Sequence, residues 1–299
     1  MTNPIIYAIV LLVLLIILFV GLVYYTVLTH RNIHSRNDPA RTAFPHFRST
    51  LHFFLGGTLF NVVTIAIILS LWNSPDYDYD RRTVNAINHI SFISALLNSL
   101  ASCTLIFTTA HLATGVRRAA SGGSYNPRKI HFTVNILAGL AALLWVVFFI
   151  GRQVRLSQPG SGTIVSFVFA VLGLAGFVLL LIAAITVLVY AYRARKAVRE
   201  LAVGGGYKGL MRRVLAVAWV NLVLFAWMIV SGILAGFGFG SSVGFWDILD
   251  VLVRQFGTFG LLVGVYYLGR MEKGGLWSSG IQGVEGLPLA VTGSNDVRV

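Results

Sequence analysis

Seven long apolar runs fill this chain, roughly residues 5–28, 51–72, 90–112, 130–150, 163–192, 214–239 and 246–268. A hydrocarbon core of about 30 Å is crossed by ~20 residues of helix, and each run is that long. Inside lipid every backbone N–H and C=O must be satisfied within the segment, which leaves helices as the spanning element for runs of this kind. The predicted fold is therefore all-α: a polytopic membrane protein with a seven-transmembrane-helix bundle over 1–269. Residues 270–299, rich in Gly, Ser and Val, read as a disordered tail. Composition agrees. The chain is 57% hydrophobic and 11% charged, against roughly 25% charged in soluble domains.

Basic residues are sorted between alternate gaps. The first gap holds Arg31, Arg36, Arg41 and Arg48, and the third holds Arg117, Arg118, Arg128 and Lys129. The fifth holds Arg193, Arg195, Lys196, Arg199, Lys208, Arg212 and Arg213, and the tail Arg270, Lys273 and Arg298. The second and fourth gaps hold only Arg81, Arg82, Arg152 and Arg155, and the sixth none. An excess of Lys and Arg in short loops marks the cytoplasmic side, so the N-terminus is expected outside and the C-terminus in the cytosol. The acidic residues Asp76, Asp78 and Asp80 then lie outside. Trp72, Trp246, Tyr24, Tyr25, Tyr192, Tyr266 and Tyr267 fall near span ends, as interfacial aromatic belts do.

The net charge of +13 would point to nucleic acid in a soluble protein. Here the basic residues flank spans, where they meet anionic lipid headgroups, so the expected partner is the bilayer and no nucleic acid is expected. Cys103 is the one cysteine and lies inside a span, so no internal disulfide forms and it reads as a packing residue. The first run has no basic segment before it and is too long for a signal-peptide core, so it is expected to stay as a span. No N-glycosylation acceptor is present. No proline interrupts a run after Pro4, and the spans are expected to be continuous helices.

Polar residues inside the membrane carry what functional signal there is. The third run is the least oily. Asn88, Ser91, Ala95, Asn98, Ser102 and Thr109, with Leu105 the one large apolar member, follow a 3–4 spacing and form one stripe, which fits either a tightly packed central helix or the lining of a ligand or solute path. Asn61, Thr64, Asn135 and Asn221 are placed to meet it from other helices. In the seventh run Asp247, Asp250, Arg254 and Thr258 share a face, and Asp250 can pair with Arg254 at i,i+4. An intramembrane ionisable pair marks a functional site by default, although a snorkelling, self-neutralised pair is the bland alternative. The expected ligand lining is Ser94, Asn98, Asp250 and Arg254, between spans two, three, six and seven.

His52, His111 and His131 lie at the same depth, at the ends of spans two, three and four, and form the metal candidate, against the commoner role of interfacial polar residues. His89 and His111 sit 22 residues apart on one helix, as haem ligands do, but the outer depth offers only His89, so no cofactor is expected. Gly232 with Gly236, and Gly260 with Gly264, have the GxxxG spacing that serves helix packing or dimerisation. Arg193, Arg195, Lys196 and Arg199 read as a basic helical extension of span five, a surface for lipid headgroups or a cytosolic signalling partner.

Seven spans with the N-terminus outside match the heptahelical receptor plan in topology. The class A receptor motifs are missing: span three closes from His111 to Arg117 without the acidic-Arg-aromatic triplet, and span seven ends from Gly264 to Arg270 without Asn-Pro-x-x-Tyr. Lys129, Lys196, Lys208 and Lys273 all lie in loops or flanks, which excludes a retinal Schiff base. The histidines that seven-span zinc hydrolases carry in the last span are absent, as is the Pro-Gln motif of sugar transporters. In layout the chain resembles the uncharacterised seven-helix integral membrane proteins of filamentous fungi, some of them discussed as receptor-like. That resemblance covers nearly the whole chain and implies a receptor-like function, with no site residue attached.

The expected function is a non-enzymatic, receptor-like membrane protein that senses a small or lipid-like ligand, in the plasma membrane rather than an internal one. A transporter or channel-like bundle is the first alternative. A structural or lipid-organising protein is the second. No carboxylate pair, nucleophile–base set or strong metal cluster points to an enzyme.

Overall fold

The computed structural model describes residues 4–32, 42–72, 81–121, 125–157, 163–200, 205–236 and 244–270, and among these there is no strand. The helices are α1 (Pro4–Asn32), α2 (Phe44–Trp72), α3 (Arg81–Ala120), α4 (Arg128–Ser157), α5 (Thr163–Glu200) and α6 (Gly205–Gly236). The seventh span is composite, built of α7 (Phe245–Asp250), a π-helical turn (Val251–Phe256) and α8 (Gly257–Arg270). Seven helical segments are long and apolar enough to cross a membrane. The tail after Arg270, the acidic residues Asp76, Asp78 and Asp80, and the end of the sixth apolar run at 237–239 lie outside the described residues.

Most helices outrun the apolar runs that announce them. α3 extends beyond 90–112 at both ends, and α5 carries past Tyr192 to Glu200. Lys and Arg stems lie along apolar surface while their heads reach water, so helix continues where hydropathy has already fallen.

The helices pack in chain order around α3, which touches α2, α4, α5 and α6, while the seventh span closes the ring against α6 and α1. Outer helices show membrane-facing ridges. On α1, Ile6, Ile9, Val13, Ile16 and Val20 are exposed at steps of three and four, and on α4 Phe132, Ile136, Leu140, Leu143 and Val147 repeat the pattern. Continuous apolar surface of this extent is not tolerated in water. It makes this an integral, multi-pass membrane protein. α3 is different: none of its residues from Ile87 to Arg117 is exposed. By its most apolar stretch the seventh span, not the third, is the least oily, with the third next.

Lipid tails are as apolar as leucine, so helices here associate by close packing and interhelical hydrogen bonds. The main core cluster joins α1, α2, α3, α5, α6 and α8 through Leu22, Phe47, Leu112, Val198, Met211 and Tyr266. Tyr266 is fully buried and accepts a hydrogen bond from Asn32 Nδ2 at 2.9 Å, and Tyr25 packs edge-on against it. These two tyrosines therefore belong to the core, whereas Tyr24, Tyr192, Trp246 and Tyr267 are exposed as belt residues are.

Three of the GxxxG glycines, Gly232, Gly260 and Gly264, make no close approach. A Cβ on Gly260 or Gly264 would meet nothing within 4 Å, and one on Gly232 only Phe177 at 3.9 Å. The close contacts are elsewhere: at Gly57 a Cβ would lie 2.5 Å from Asn98 Oδ1. The spans are continuous except for the π turn, which holds neither proline nor glycine, and so left no breaker to read.

Candidate functional site

An open cavity of about 240 Å³ lies between α5, α6 and the start of the seventh span. Phe177, Met228 and Leu234 supply its apolar wall, Trp246 and Trp227 its aromatic faces, and Asp247, Asp250 and Arg254 its charges. Both aspartates are anchored. Asp247 Oδ2 accepts the Gly244 backbone N–H at 2.8 Å, which caps α7. Asp250 accepts from Trp227 Nε1 at 3.1 Å through one oxygen and pairs with Arg254 Nη2 at 2.7 Å through the other. The Asp250 and Arg254 side chains are 22% and 29% exposed, so the pair is sunk in the wall but open to a ligand.

Backbone geometry sets this pair. Arg254 stands inside the π turn, where i→i+5 bonding widens the helix by part of a residue per turn. Wide turns of this kind interrupt α-helices at some cost and concentrate at functional sites. Thr258 Oγ1 donates back to the Arg254 carbonyl at 2.7 Å, stitching the turn to α8.

Arg254 also lines a second, much smaller space. A slot of about 10 Å³ is bounded by Phe54, Asn98, Ser102, Met228, Gln255 and Thr258 as well as Arg254, and that volume is on the scale of one water. Three polar atoms of residues around it have no hydrogen-bond partner among the described residues: Asn98 Oδ1, Gln255 Oε1 and Arg254 Nε. Two acceptors and a cationic donor left unpaired at the centre of a bundle are costly, because each has given up water without a replacement.

The expected lining thus divides. Asp250 and Arg254 meet in the cavity, and Asn98 joins Arg254 in the slot beneath. Ser94 is engaged elsewhere: its hydroxyl, between α2 and α3, lies 2.7 Å from both the Gly57 carbonyl and Asn61 Oδ1. Asn221 meets the α3 stripe as expected, donating to Thr109 Oγ1 at 2.8 Å. Thr64 instead bonds the Phe60 carbonyl of its own helix, and Asn135 is exposed on α4. The sequence reading missed Trp227 and Gln255. Trp227 carried a signal, since tryptophan in mid-span, away from the belts, needs a polar partner for its N–H.

Comparison with family models, with curated proteins and with solved structures finds no match to this chain.

The histidines rearrange. His111 and His131 do come together, with ring centroids 4.1 Å apart, but the third member is His46, 4.6 Å from His111. His52 pairs instead with His30, Nε2 to Nε2 at 3.1 Å. In each of these two pairs the rings are tilted, by 33° and 34°. Among the described residues no group of three His, Cys, Asp or Glu is arranged to hold a metal. His89 bonds to Gln153 of α4.

Of the basic extension, Arg193, Lys196 and Arg199 are exposed along α5 and Arg195 is half-buried.

Proposed function

We propose that this protein is a non-enzymatic, receptor-like membrane protein whose α5–α6–seventh-span cavity takes a small amphipathic ligand. Arg254 carries the reading. It belongs both to the cavity, where it holds Asp250, and to the slot, where two carbonyl oxygens lack partners. The ligand's apolar body packs on Phe177, Met228 and Trp246, and its polar head competes for Asp250 or Arg254. A head that takes Asp250 frees the guanidinium to turn inward toward Asn98 and Gln255. One side chain then has two arrangements, and a ligand with different affinity for each shifts their populations. The π turn is where the backbone follows most cheaply.

In this reading the basic ends face the cytosol, the N-terminus lies outside, and the cavity opens toward the outer half of the plasma membrane. Arg193, Arg195, Lys196 and Arg199 form the surface for a cytosolic signalling partner, and the basic ends meet anionic headgroups. A transporter is the second reading. It is favoured by the way the slot and the cavity share Met228 and Arg254 as walls, so that the slot leads from the cavity to Asn98 and Ser102 of α3.

The test is a thermal-shift screen of small amphipathic molecules on the purified full chain. A molecule that raises Tm in the wild type and not in the Asp250→Asn/Arg254→Gln double variant supports ligand sensing at this pair. Shifts that survive the double variant would remove the site. Uptake of the same molecule into proteoliposomes, lost in the double variant, would favour the transporter. No binder and no flux would leave a structural or lipid-organising bundle.

A further inference from the structure

At the other end of the bundle from the cavity, a groove of about 510 Å³ opens between α4 and α5 beneath the end of α3. Three cations border it, Arg117, Lys129 and Arg193, together with Tyr125 and Tyr190, and no carboxylate lines it among the described residues. Arg117 is pre-positioned: its guanidinium lies 4.0 Å over the Tyr125 ring and 5.9 Å from the Tyr190 ring. A guanidinium stacked by its face keeps its in-plane N–H donors for a planar or tetrahedral oxyanion. The buried Tyr190 hydroxyl, beside them, interacts with both Tyr125 and Arg117. The three cations of this groove are thus matched by tyrosines and by no anion among the described residues.

The floor of the groove says what kind of anion fits. Ile185 and Val189 are exposed on the membrane-facing side of α5. Thr133 and Thr186 turn their hydroxyls back to the carbonyls of Lys129 and Ile182, at 3.1 and 2.8 Å, and leave their methyl groups to the groove. A polar, cationic rim above an apolar floor open to lipid matches a phosphate joined to acyl chains better than a free ion. We propose that this groove is a binding site for one anionic phospholipid, with the phosphate held by Arg117, Lys129 and Arg193 and an acyl chain laid along Ile185 and Val189. The site narrows the general headgroup contact of the proposed reading to one place, and rests on that reading only for the basic ends lying at a lipid interface.

Native mass spectrometry of the detergent-purified full chain tests it, with phosphatidic acid, phosphatidylcholine and inorganic phosphate as probes. Retention of phosphatidic acid above phosphatidylcholine is expected. It should fall about fivefold for each of Arg117→Gln, Lys129→Gln and Arg193→Gln, as ~1 kcal/mol per basic residue near anionic lipid implies. Lys208→Gln and Arg212→Gln, exposed basic positions on α6, should leave it unchanged. An equal fall in these controls would overturn the groove and leave only general headgroup attraction. Equal retention of the two lipids would overturn both. Displacement of phosphatidic acid by millimolar inorganic phosphate would make the ligand a free anion, and the lipid site would be wrong.

Discussion

The third and seventh spans are the two least apolar helices of the bundle, yet they treat their polar groups in opposite ways. On α3 most polar side chains are matched. Ser94 reaches Gly57 and Asn61, Thr109 takes Asn221, and Ser99, Ser102, Thr108 and Thr114 bond carbonyls one turn back. Around the π turn, Gln255 Oε1 and Arg254 Nε are unpaired, and the charges border an open cavity. A polar residue in a membrane helix is therefore not itself the sign of a site. What separates packing from a site is whether the surrounding protein completes its hydrogen bonds. Asn98 stands at the boundary: its amide presses on Gly57, and its carbonyl oxygen is an unmatched member of the α3 seam.

The largest effect is expected where the matched seam is tightest. Gly57→Ala puts a Cβ 2.5 Å from Asn98 Oδ1, and overpacking of this kind costs roughly 1–3 kcal/mol. Unfolding of the purified protein should shift accordingly, and Gly57→Ala/Asn98→Ala should lose less than the two single changes together. An unchanged midpoint in Gly57→Ala would mean that α2 and α3 are not in close contact, and the contrast between the two spans would fail.

Next comes the ion pair. Asp250→Asn leaves the Arg254 charge half-sunk without its partner. Breaking a fully buried pair costs about 3–5 kcal/mol. With 22% and 29% exposure, water recovers part of that, so on the order of 1–3 kcal/mol is expected. Asp250→Asn/Arg254→Gln should be more stable than Asp250→Asn, because the uncompensated charge is gone. If the double variant is the worse of the two, the pair contributes more as packing than as charge, and the seventh span behaves like α3 after all.

How far such differences could be read from the residues depends on what fixes them. The seven spans follow from run length, which is a property of one segment at a time. The Asp250–Arg254 pair follows from a spacing of four on one helix, and the geometry keeps it. Contacts between helices depend on rotation about each axis, which no single run encodes. That is why Asn61 and Asn221 meet α3 while Asn135 faces outward. It is also why His46, five residues before the second apolar run begins at Leu51, takes the place given to His52. The π turn was illegible for another reason: Val251–Phe256 contains no residue that forces a wide turn, so tertiary packing must select it.

A smaller effect tests the matched side again. Asn221→Val removes the bond to Thr109 Oγ1, whose hydroxyl keeps the Leu105 carbonyl at 2.9 Å. Interhelical hydrogen bonds in membrane proteins average about 0.6 kcal/mol, and a loss of that order is expected in unfolding. A loss several times larger would show that Asn221 supports more of the seam than this one bond.

The smallest effect belongs to the glycine pair with the strongest motif. A Cβ at Gly260 or Gly264 meets nothing within 4 Å, so Gly260→Ala and Gly264→Ala should fall within about 0.5 kcal/mol of the wild type, as surface changes do. Alanine is the better helix former, which sets the sign toward stabilisation. The result sharpens the contrast because both glycines lie on α8, just past the π turn. Within one span, space is then confined at Gly257, where a Cβ would lie 2.7 Å from Leu224 Cδ2, and free one turn later. A clear loss of stability in Gly260→Ala, growing with protein concentration in the wild type, would mean that a second copy covers this face. The seventh span would then owe part of its irregular course to that neighbour.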